Sequence, residues 1–413
     1  MSASLRTEFA VVGGGIIGLV SALRLAEAGH EVLVIDARLN ALGASAGNAG
    51  AIAPYGCVPV GTPGVLRNLP HLLLHRDSPF AMRWAGLPAL APWLIRFVVQ
   101  SLPRRAQANA IALAALLRDA AGAWRDLAVA ADASDLLRAN GCIYLYPDDA
   151  AFAASGWERT HRTAGGVRQV VLRPAEVAEL EPALSRMHGP ALLFPDAMHI
   201  AEPSAMLDRV RRAAVVRGVQ FAPGEITSVR IASNSILLDG PGISVSADRV
   251  LIAAGAWSRS LARQAGDRIP LDTERGYHVE YAMDAPPLSR PVAPIRFGVY
   301  LTPMTGRLRA AGTVELGGLH RPPDPGRLAL LDRAARSLLP DLPRPGGLWL
   351  GFRPSLPDSL PVIGRATASD RIVYAFGHGH LGLTLAPVTA HFVVDLFNAA
   401  APPRAVSPQR FGR

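Results

Sequence analysis

A glycine-rich turn between two apolar segments, near the start of the chain, constrains the fold more than any other feature of this sequence. Four apolar residues lead into Gly13, Gly15 and Gly18, residues 16–28 follow as a helical pattern, and a second apolar run ends at Asp36. A strand, a glycine turn, a helix, a strand and an acid in this order predict a dinucleotide-binding βαβ unit. The alternative is a glycine-rich turn in an unrelated α/β protein, and an acid about 20 residues after the glycines argues against it.

Each part of this unit has a physical role in holding a pyrophosphate. Gly13 permits the tight turn, Gly15 lets the backbone approach the phosphates, and Gly18 allows the helix to pack closely on the strand. The helix N-terminus presents free N–H groups and the positive end of its dipole to the same phosphates. A carboxylate at the end of the second strand accepts hydrogen bonds from ribose hydroxyls. The residues predicted to hold the dinucleotide here are Gly13, Gly15, Ile16, Ile17, Gly18, Asp36, Ala37 and Arg38.

Composition indicates a folded chain of about two domains. Of its 413 residues, 50% are hydrophobic and 18% are charged, and a prior of roughly 150 residues per domain gives two or three. The two cysteines, Cys57 and Cys142, are too few for a disulfide framework and lack metal-ligand spacing, so we expect no metal and a reducing, cytoplasmic location. Glycines interrupt the N-terminal apolar run, which therefore does not predict a signal peptide. No run of about 18 apolar residues predicts a spanning helix.

The charge of the chain is strongly positive and comes entirely from arginine. The net charge is +9, and all 42 basic residues are arginines, which favours anionic partners such as lipid head groups, an acidic protein or nucleic acid. Segment 64–105 alternates apolar runs with Arg and Trp, a pattern that suits a helix lying in a membrane interface on the inner face of the cytoplasmic membrane. The alternative, favoured on sequence alone, is a helical hairpin packed on the core. The residues that would suit the interface are Arg83, Trp84, Trp93, Arg96, Arg104 and Arg105.

The order of patterns predicts an α/β fold in which one domain is inserted into another. Residues 1–54, 202–264 and 346–413 carry Rossmann-like patterns and are expected to assemble one nucleotide-binding domain from separate segments. Residues 55–201 and 265–345 are expected to form an inserted α+β domain built on a mainly antiparallel sheet, with a hairpin turn at residues 304–306. We expect the site in the cleft between the two domains.

Several local predictions accompany this division. Residues 106–131 predict one long Ala- and Leu-rich helix, and residues 191–195 and 198–201 predict two strands that pair with each other. Residues 340–347, which are rich in Pro and Gly, predict a linker.

Four segments together resemble the D-amino-acid-oxidase superfamily of flavoproteins. They are VVGGGIIG…VIDAR (11–38), GASAGNAG (43–50), RVLIAAGAWS (249–258) and GFRPSLPDSLPVIG…GHGHLGLTLAP (351–387). Within that superfamily, the second and fourth segments are most similar to the small-subunit type of D-amino acid dehydrogenase, with glycine oxidase and D-hydroxyproline dehydrogenase close by. The resemblance covers nearly the whole chain and is weakest across residues 60–140 and 280–345.

The resemblance implies FAD as the dinucleotide. It places the GASAGNAG segment along the pyrophosphate and flavin, a residue near Ile226 on the adenine, and the backbone of residues 379–384 at the flavin pyrimidine edge, where fixed donors stabilise developing charge. Some relatives tether flavin through a cysteine near the C-terminus; this chain has none there, so noncovalent FAD is expected. The further residues expected to bind FAD are Ser45, Asn48, Ala49, Gly50, Ile226, Ala254, Gly255, Gly379, His380, Leu381, Gly382, Leu383 and Thr384.

Arg353 matches the arginine of the family's G-x-R-P segment, which the resemblance implies grips the substrate carboxylate. A guanidinium binds a carboxylate through two parallel hydrogen bonds, and pinning it fixes Cα–H over the flavin; the alternative is a structural salt bridge. Tyr277 and His278 are expected to line the same pocket, the alternative for each being an ordinary hydrogen-bonded sheet residue. For His378 and His380 a loop-stabilising role and a chemical role stay equally open.

The resemblance implies oxidative deamination of a small D-amino acid, or of a D-imino acid such as D-hydroxyproline. Hydride passes from Cα to flavin N5, and the electrons pass to a quinone, another acceptor or a partner redox subunit. No side-chain base is required because solvent takes the ammonium proton, and no residue is assigned as catalytic. The alternatives are an oxygen-using oxidase of the glycine or sarcosine oxidase type, and a flavin subunit of a larger complex. Relatives that act on tRNA make RNA a further alternative, but no basic and aromatic run supports it and nucleic acid is not an expected partner.

Overall fold

The computed structural model describes residues 4–39, 43–74, 78–82 and 87–412, with the side chains of 69–74 and 87 left out. The strands are β1 (Ser4–Val12), β2 (Val32–Asp36), β3 (Ala51–Ile52), β4 (Phe80–Met82), β5 (Leu137–Arg138), β6 (Cys142–Leu145), β7 (Val170–Leu172), β8 (Ala191–Phe194), β9 (Met198–Ile200), β10 (Gln220–Pro223), β11 (Ser228–Ile231), β12 (Ile236–Gly240), β13 (Ile243–Ile252), β14 (Asp272–Ala282), β15 (Val292–Pro294), β16 (Val299–Met304), β17 (Arg307–Leu316), β18 (Gly346–Ser355), β19 (Val362–Arg365) and β20 (Ile372–Phe376). The helices are α1 (Ile16–Glu27), α2 (Pro63–Leu74), α3 (Leu87–Gln100), α4 (Pro103–Leu117), α5 (Ala120–Ala130), α6 (Asp149–Ala154), α7 (Gly156–Ala164), α8 (Pro174–Leu180), α9 (Pro203–Val216), α10 (Ser258–Gln264), α11 (Pro325–Leu338) and α12 (Gly382–Phe397).

The first sheet has a parallel centre in the order β10-β2-β1-β13-β20. Strands β11, β12 and β19 add antiparallel neighbours to it. From β1 the chain moves to β2 on one side, whereas β13 lies on the other side. The carboxyl ends of β1 and β13 therefore form the switch point, outside which open α/β sheets bind ligands.

The second sheet is mainly antiparallel, as the sequence predicts. Its order is β18-β14-β17-β16-β15-β6-β8-β7, with β4 added beside the end of β17. Among the described strand pairs of this second sheet, only β15–β6 and β17–β4 are parallel. Helix α11 covers one face, where its residues Leu331, Ala334 and Ala335 pack with Val279 and Leu301. The other face of this sheet points toward the first domain.

Helix α12 lies in the core of the first domain. By length and composition, Gly379–Phe397 is the single segment of the described chain that is apolar enough to cross a membrane, and 56% of its most apolar window is buried. It packs against α1 and α5, and Trp124 of α5 donates its indole N–H to the carbonyls of Leu383 and Thr384. Burial in the core explains its apolar composition.

Two local predictions are corrected. The helix predicted over 106–131 is two helices, α4 and α5, because Asp119 leaves helical geometry (φ −100°, ψ 5°) and becomes the N-cap of α5, a position that Asp favours over a helix interior. The strands predicted over 191–201 do not pair with each other: β8 joins the second sheet, whereas β9 pairs with β3 and β5. The alternation of short apolar runs identifies strands but carries no information about their partners.

The boundary predicted at residue 346 is also displaced. Residues 346–355 form β18, which pairs with β14 in the second sheet, so they lie with the inserted domain rather than with the nucleotide-binding segment. Gly346 and Gly347 gave this stretch the composition of a linker. Helices α4 and α5, in contrast, contribute Leu113, Leu116 and Trp124 to the core of the first domain.

Candidate active site

The glycine turn has the geometry that its spacing predicts. Gly13 has φ +113°, and a Cβ there would overlap the carbonyl of Ala253 at the end of β13. A Cβ on Gly18 would overlap the carbonyl of Gly13, because the helix packs closely on the strand there. Gly15 differs, because a Cβ on it would meet only the Ser45 hydroxyl, at 3.4 Å. The backbone at Gly15 is therefore open for the close approach of a phosphate.

The carboxylate of Asp36 is held at the edge of the same crevice. Its Oδ2 accepts from the N–H of Gly14 at 2.5 Å and its Oδ1 from the N–H of Arg38 at 2.6 Å, across Ala37. The two bonds leave lone pairs of both oxygens for ribose hydroxyls. The Gly224 N–H donates to the Asp36 carbonyl at 3.1 Å, which brings the segment containing the buried Ile226 to this edge, where the resemblance puts the adenine.

The loop of residues 45–50 lies over the start of α1. The N–H of Ile16 donates to the Ser45 hydroxyl at 3.0 Å, while Ile17 in the same first turn has no intrahelical acceptor for its N–H. Asn48 closes the loop on itself: its amide donates to the Ser45 carbonyl and its Oδ1 accepts from the Gly50 N–H at 2.6 Å. Ala49 lies between these anchors. The loop therefore sits where the resemblance places the pyrophosphate and flavin.

The second sheet anchors the carbonyl groups of this loop. Arg309 of β17 donates to the Asn48 carbonyl at 2.6 Å, and His278 of β14 donates through Nδ1 to the Gly47 carbonyl at 2.7 Å. The imidazole also stacks on Trp349, with centroids 5.0 Å apart. Burial, together with the charge of Arg309, lowers the pKa of His278 to about 4. His278 is therefore neutral at physiological pH, and its Nδ1 carries the proton that it donates.

The carboxyl ends of β13 and β20 supply two further loops to the crevice. Ala254 and Gly255 (φ +56°) follow β13. Gly379 (φ +55°), His380 and Leu381 form a 3₁₀ turn after β20, and α12 begins at Gly382. Because the carboxyl ends of neighbouring parallel strands meet at one edge of a sheet, these loops flank the glycine turn. The N-terminus of α12, with Leu383 and Thr384 in its first turn, thus opens onto the same crevice.

In the loop that follows β20, some side chains are hydrogen-bonded within the protein and one is exposed to solvent. The Thr384 hydroxyl accepts from the Ala53 N–H at 3.0 Å. His378 is buried against the Thr389 hydroxyl at 2.9 Å, and burial lowers its pKa to about 3, so the structure gives it a loop-stabilising role. The His380 side chain retains solvent-exposed surface, although the surrounding protein, with Arg353, lowers its pKa to about 4.

Arg353 lies on the face of the second sheet that points toward the first domain. Its guanidinium crosses β14 directly over Gly276 and donates to the carbonyl of Thr313 at 2.8 Å and, more weakly, to that of Gly312 at 3.5 Å. These bonds use two of its five N–H donors. Burial lowers the pKa of the Arg353 guanidinium, and the charge of the buried Glu274 partly offsets this.

No residue of the described chain forms an ion pair with Arg353. The structural salt bridge considered as an alternative is therefore absent from the described part of the protein. Thr313, whose carbonyl holds the guanidinium, has a left-handed backbone (φ +57°), a strained conformation that proteins retain mainly at functional sites.

Tyr277 does not share the face of Arg353, and its predicted place in the pocket is corrected. Alternation along β14 turns it away from Gly276 and His278, toward α11. Tyr277 is 1% exposed. Its hydroxyl donates to the Glu315 carboxylate, and the same hydroxyl oxygen accepts from the Asp324 N–H at 3.2 Å. The tyrosine is part of the core beneath the sheet.

A pair of tyrosines that the sequence analysis did not single out does share this face. Tyr300 of β16 lies opposite Ala311 of β17, which in turn lies opposite His278. Its hydroxyl is 2.6 Å from that of Tyr144 on β6 and 3.4 Å from that of Tyr55. The hairpin turn at residues 304–306 would have given this register, because it fixes Tyr300 against Ala311.

Comparisons with known proteins agree with this geometry. Residues 8–396 match the family described as "DAO: FAD dependent oxidoreductase". The chain belongs to this family. A protein from Bradyrhizobium diazoefficiens named D-amino-acid oxidase is 34% identical over 412 residues, covering 97% of each chain. A protein from Paramagnetospirillum magneticum named D-amino acid dehydrogenase is 32% identical over 429 residues, also covering 97% of each.

Two solved structures share the fold of this chain. Glycine oxidase from Geobacillus kaustophilus superposes with a TM-score of 0.76 at 24% identity and covers 98% of this chain and 99% of its own. L-proline dehydrogenase from P. horikoshii superposes with a TM-score of 0.74 at 20% identity, covering 99% and 98%. The family match and the sequence relatives confirm the resemblance and FAD as the cofactor, and the solved structures confirm the fold class.

The crevice fits FAD. Gly15 leaves open backbone above the N-terminus of α1, a second helix N-terminus lies after β20, and Asp36 presents a carboxylate at the ribose position. FAD, when bound, would supply the acceptor for a hydride, which carries two electrons. The chain is an FAD-dependent oxidoreductase, and the assignment of individual residues to FAD stays a prediction.

Proposed function

We propose that this protein oxidises the Cα–N bond of a small D-amino acid, or of a D-imino acid such as D-hydroxyproline. The observation that carries the proposal is the guanidinium of Arg353. It lies on the sheet face that points toward the nucleotide-binding domain. Beyond the two N–H groups that donate to the Thr313 and Gly312 carbonyls, it has further N–H donors. It forms no ion pair with any of the described residues. A partly buried cation with no carboxylate of the described chain in salt-bridge contact is suited to binding an anionic substrate through two hydrogen bonds.

The residues of the chain orient the substrate, and the chemistry follows from that orientation. Arg353 and the Tyr300 hydroxyl bind the carboxylate, and the small residues Gly276 and Ala311 between them leave room for it. The neutral amine would then direct Cα–H toward bound FAD, which would accept the hydride with the electron pair of the Cα–H bond. The nitrogen lone pair forms the C=N bond, so the amine becomes an iminium ion whose extra proton passes to solvent. Water hydrolyses the resulting imine to a 2-oxo acid and ammonia; a cyclic amine gives a cyclic imine. Solvent removes the ammonium proton, so no side chain serves as base.

Electrons are proposed to pass to a quinone or another acceptor rather than to oxygen. The name of the P. magneticum relative, D-amino acid dehydrogenase, supports this choice. The name of the B. diazoefficiens relative, D-amino-acid oxidase, favours the second candidate, in which oxygen is the acceptor and hydrogen peroxide a product. Turnover without oxygen on an artificial acceptor, compared with peroxide yield in air, separates the two. Full turnover on oxygen alone would refute the dehydrogenase assignment.

The substrate class is tested by anaerobic bleaching of the bound flavin. A panel of D-amino acids, their L-enantiomers, glycine, sarcosine and D-hydroxyproline is mixed with the purified chain, and loss of flavin absorbance is followed. Bleaching by D-amino or D-imino acids is expected. Bleaching by none of the panel would refute the proposal, and would leave open a flavin subunit that needs a partner.

The role of Arg353 is tested with a matched arginine. Arg353→Leu is expected to raise the apparent substrate dissociation constant at least about 100-fold while FAD stays bound, since a charge-assisted bidentate pair is lost. The control Arg168→Leu removes an exposed arginine whose partner is Asp196 and should leave the constant unchanged. An unaltered constant in Arg353→Leu would remove it from the anchor role.

A further inference from the structure

Helix α3 and the turn that follows it carry exposed apolar residues that pack in the hydrophobic core of neither domain. Ile95, Val98, Val99 and Leu102 are 66%, 40%, 45% and 47% exposed. Their spacing of i, i+3, i+4 and i+7 puts them on one side of the helix. Contiguous exposed apolar surface of this kind marks a site that binds another apolar surface. We call these four residues the apolar stripe.

The sequence around the apolar stripe is cationic without exception. From residue 78 to residue 118 the chain contains five arginines and no aspartate or glutamate. Arg96, Arg104 and Arg105 in this stretch are exposed. Arg83 and Trp84, which the sequence analysis also assigned to an interface, lie outside the described residues.

The inner side of α3 reaches the active site. Trp93, opposite the apolar stripe, donates its indole N–H to the carbonyl of Ser355 at 3.4 Å, and Ser355 is two residues from Arg353. Trp93 also stacks on Phe97, with centroids 5.4 Å apart. Gly61, in the loop before α2, lies against Phe97 and Ser101. Helix α3 therefore covers the active site, and its apolar stripe lies about one helix diameter, ~10 Å, beyond it.

We propose that α3 docks this protein on an anionic lipid bilayer through the apolar stripe and its flanking arginines. Apolar side chains enter the boundary between head groups and acyl chains, while the arginines bind phosphate head groups. An acid-free cationic segment fits an anionic surface better than it fits a second copy of this chain, whose net charge is also positive. Docking would place the active site close to lipid-soluble electron acceptors. The proposal concerns the surface alone and holds for either acceptor.

The test is flotation of the FAD-loaded full chain with vesicles. Vesicles of phosphatidylglycerol mixed with phosphatidylcholine should carry the protein, vesicles of phosphatidylcholine alone should carry much less, and added salt should release it because the Debye length shortens. Arg104→Gln/Arg105→Gln is expected to weaken binding to the anionic vesicles about 30-fold, since each arginine near such a surface contributes appreciably. Ile95→Ser/Val99→Ser should weaken binding to both kinds of vesicle.

Matched variants on α9 control for charge and apolarity. Arg212→Gln/Arg217→Gln and Val215→Ser/Val216→Ser remove exposed arginines and exposed β-branched apolar residues and should leave flotation unchanged. The proposal is overturned if the wild type stays unbound, if the α9 variants lose binding as strongly as the variants at residues 95, 99, 104 and 105, or if binding is equal on neutral and anionic vesicles. It is also overturned if the wild type is a dimer that the α3 variants convert to monomers without any flotation, because α3 would then join two copies. Bound-flavin absorbance reports whether each variant is folded, and catalytic rates in solution test the proposed function separately.

Discussion

Replacement of Gly276 by alanine should misplace the guanidinium of Arg353 without removing it. A Cβ added to Gly276 would fall 2.3 Å from Arg353 Cζ, 2.3 Å from Nη2 and 2.6 Å from Nη1. Ordinary non-bonded contact needs about 3.5 Å, so the guanidinium must retreat by roughly 1 Å. Its bond to the Thr313 carbonyl, now 2.8 Å long, would be stretched or broken by that movement.

The size of the effect follows from the displacement. A misplacement of about 1 Å in a group that positions substrate can cost about 100-fold in rate, equivalent to about 2.7 kcal/mol in the transition state. Crowding of the sheet adds a stability cost of about 1–3 kcal/mol. Gly276→Ala should therefore lower kcat/KM about 100-fold and lower Tm by several degrees, with FAD retained.

Stopped-flow measurement of flavin reduction without oxygen separates substrate affinity from the rate of hydride transfer. Gly122→Ala is the control, because Gly122 is exposed on α5 and a Cβ there meets nothing within 4 Å. If Gly276 acts through Arg353, the double variant Gly276→Ala/Arg353→Lys should have a kcat/KM only slightly lower than that of Arg353→Lys alone. Unchanged kinetics in Gly276→Ala, or losses that simply add in the double variant, would refute the reasoning.

Three further predictions concern the tyrosines, the loop over α1 and the buried histidines. Tyr300→Phe should weaken substrate binding about tenfold, the value of one hydrogen bond to a charged group, and Tyr144→Phe should weaken it less; equal losses would contradict direct contact by Tyr300. Ser45→Ala should weaken FAD affinity about fivefold in a titration of the apoprotein, because a helix-capping acceptor is lost; unaltered affinity would argue against that role. Burial lowers the pKa of His278 to about 4 and of His378 to about 3, whereas the unfolded chain titrates near 6.5. The unfolded state thus binds more protons between these values, and the free energy of unfolding should fall as pH drops from about 6.5 toward 4; urea midpoints that stay constant over this range would contradict it.

The glycine turn and Asp36 were predictable from sequence because their geometry is local. Gly13 and Gly18 each meet a constraint set by residues within one βαβ unit or its neighbouring strand. The hairpin of β16 and β17 was predictable for the same reason, since its turn lies between two strands adjacent in the chain.

The faces of the second sheet were predicted less well. Tyr277 and His278 are neighbours in sequence and were assigned together, yet alternation along β14 sends one to α11 and the other to the Gly47 carbonyl. Which of the two faces the cofactor depends on register with β17 and β18, which are distant in sequence. Tyr144 and Tyr300 were missed for the same reason: 156 residues separate them, and only the strand order brings their hydroxyls together.

One loop ties the nucleotide-binding sheet to the substrate-binding sheet. Ser45 accepts from the first turn of α1, while the carbonyls of Gly47 and Asn48 accept from His278 and Arg309. The loop is thus fixed at one end to the first turn of α1 and along its length to strands β14 and β17 of the second sheet. Because hydride transfer tolerates little error in the distance between Cα and its acceptor, the relative position of the two sheets matters as much as either site alone. These three hydrogen bonds contribute to that position, which gives the neutral His278 and the buried Arg309 a structural role behind the loop.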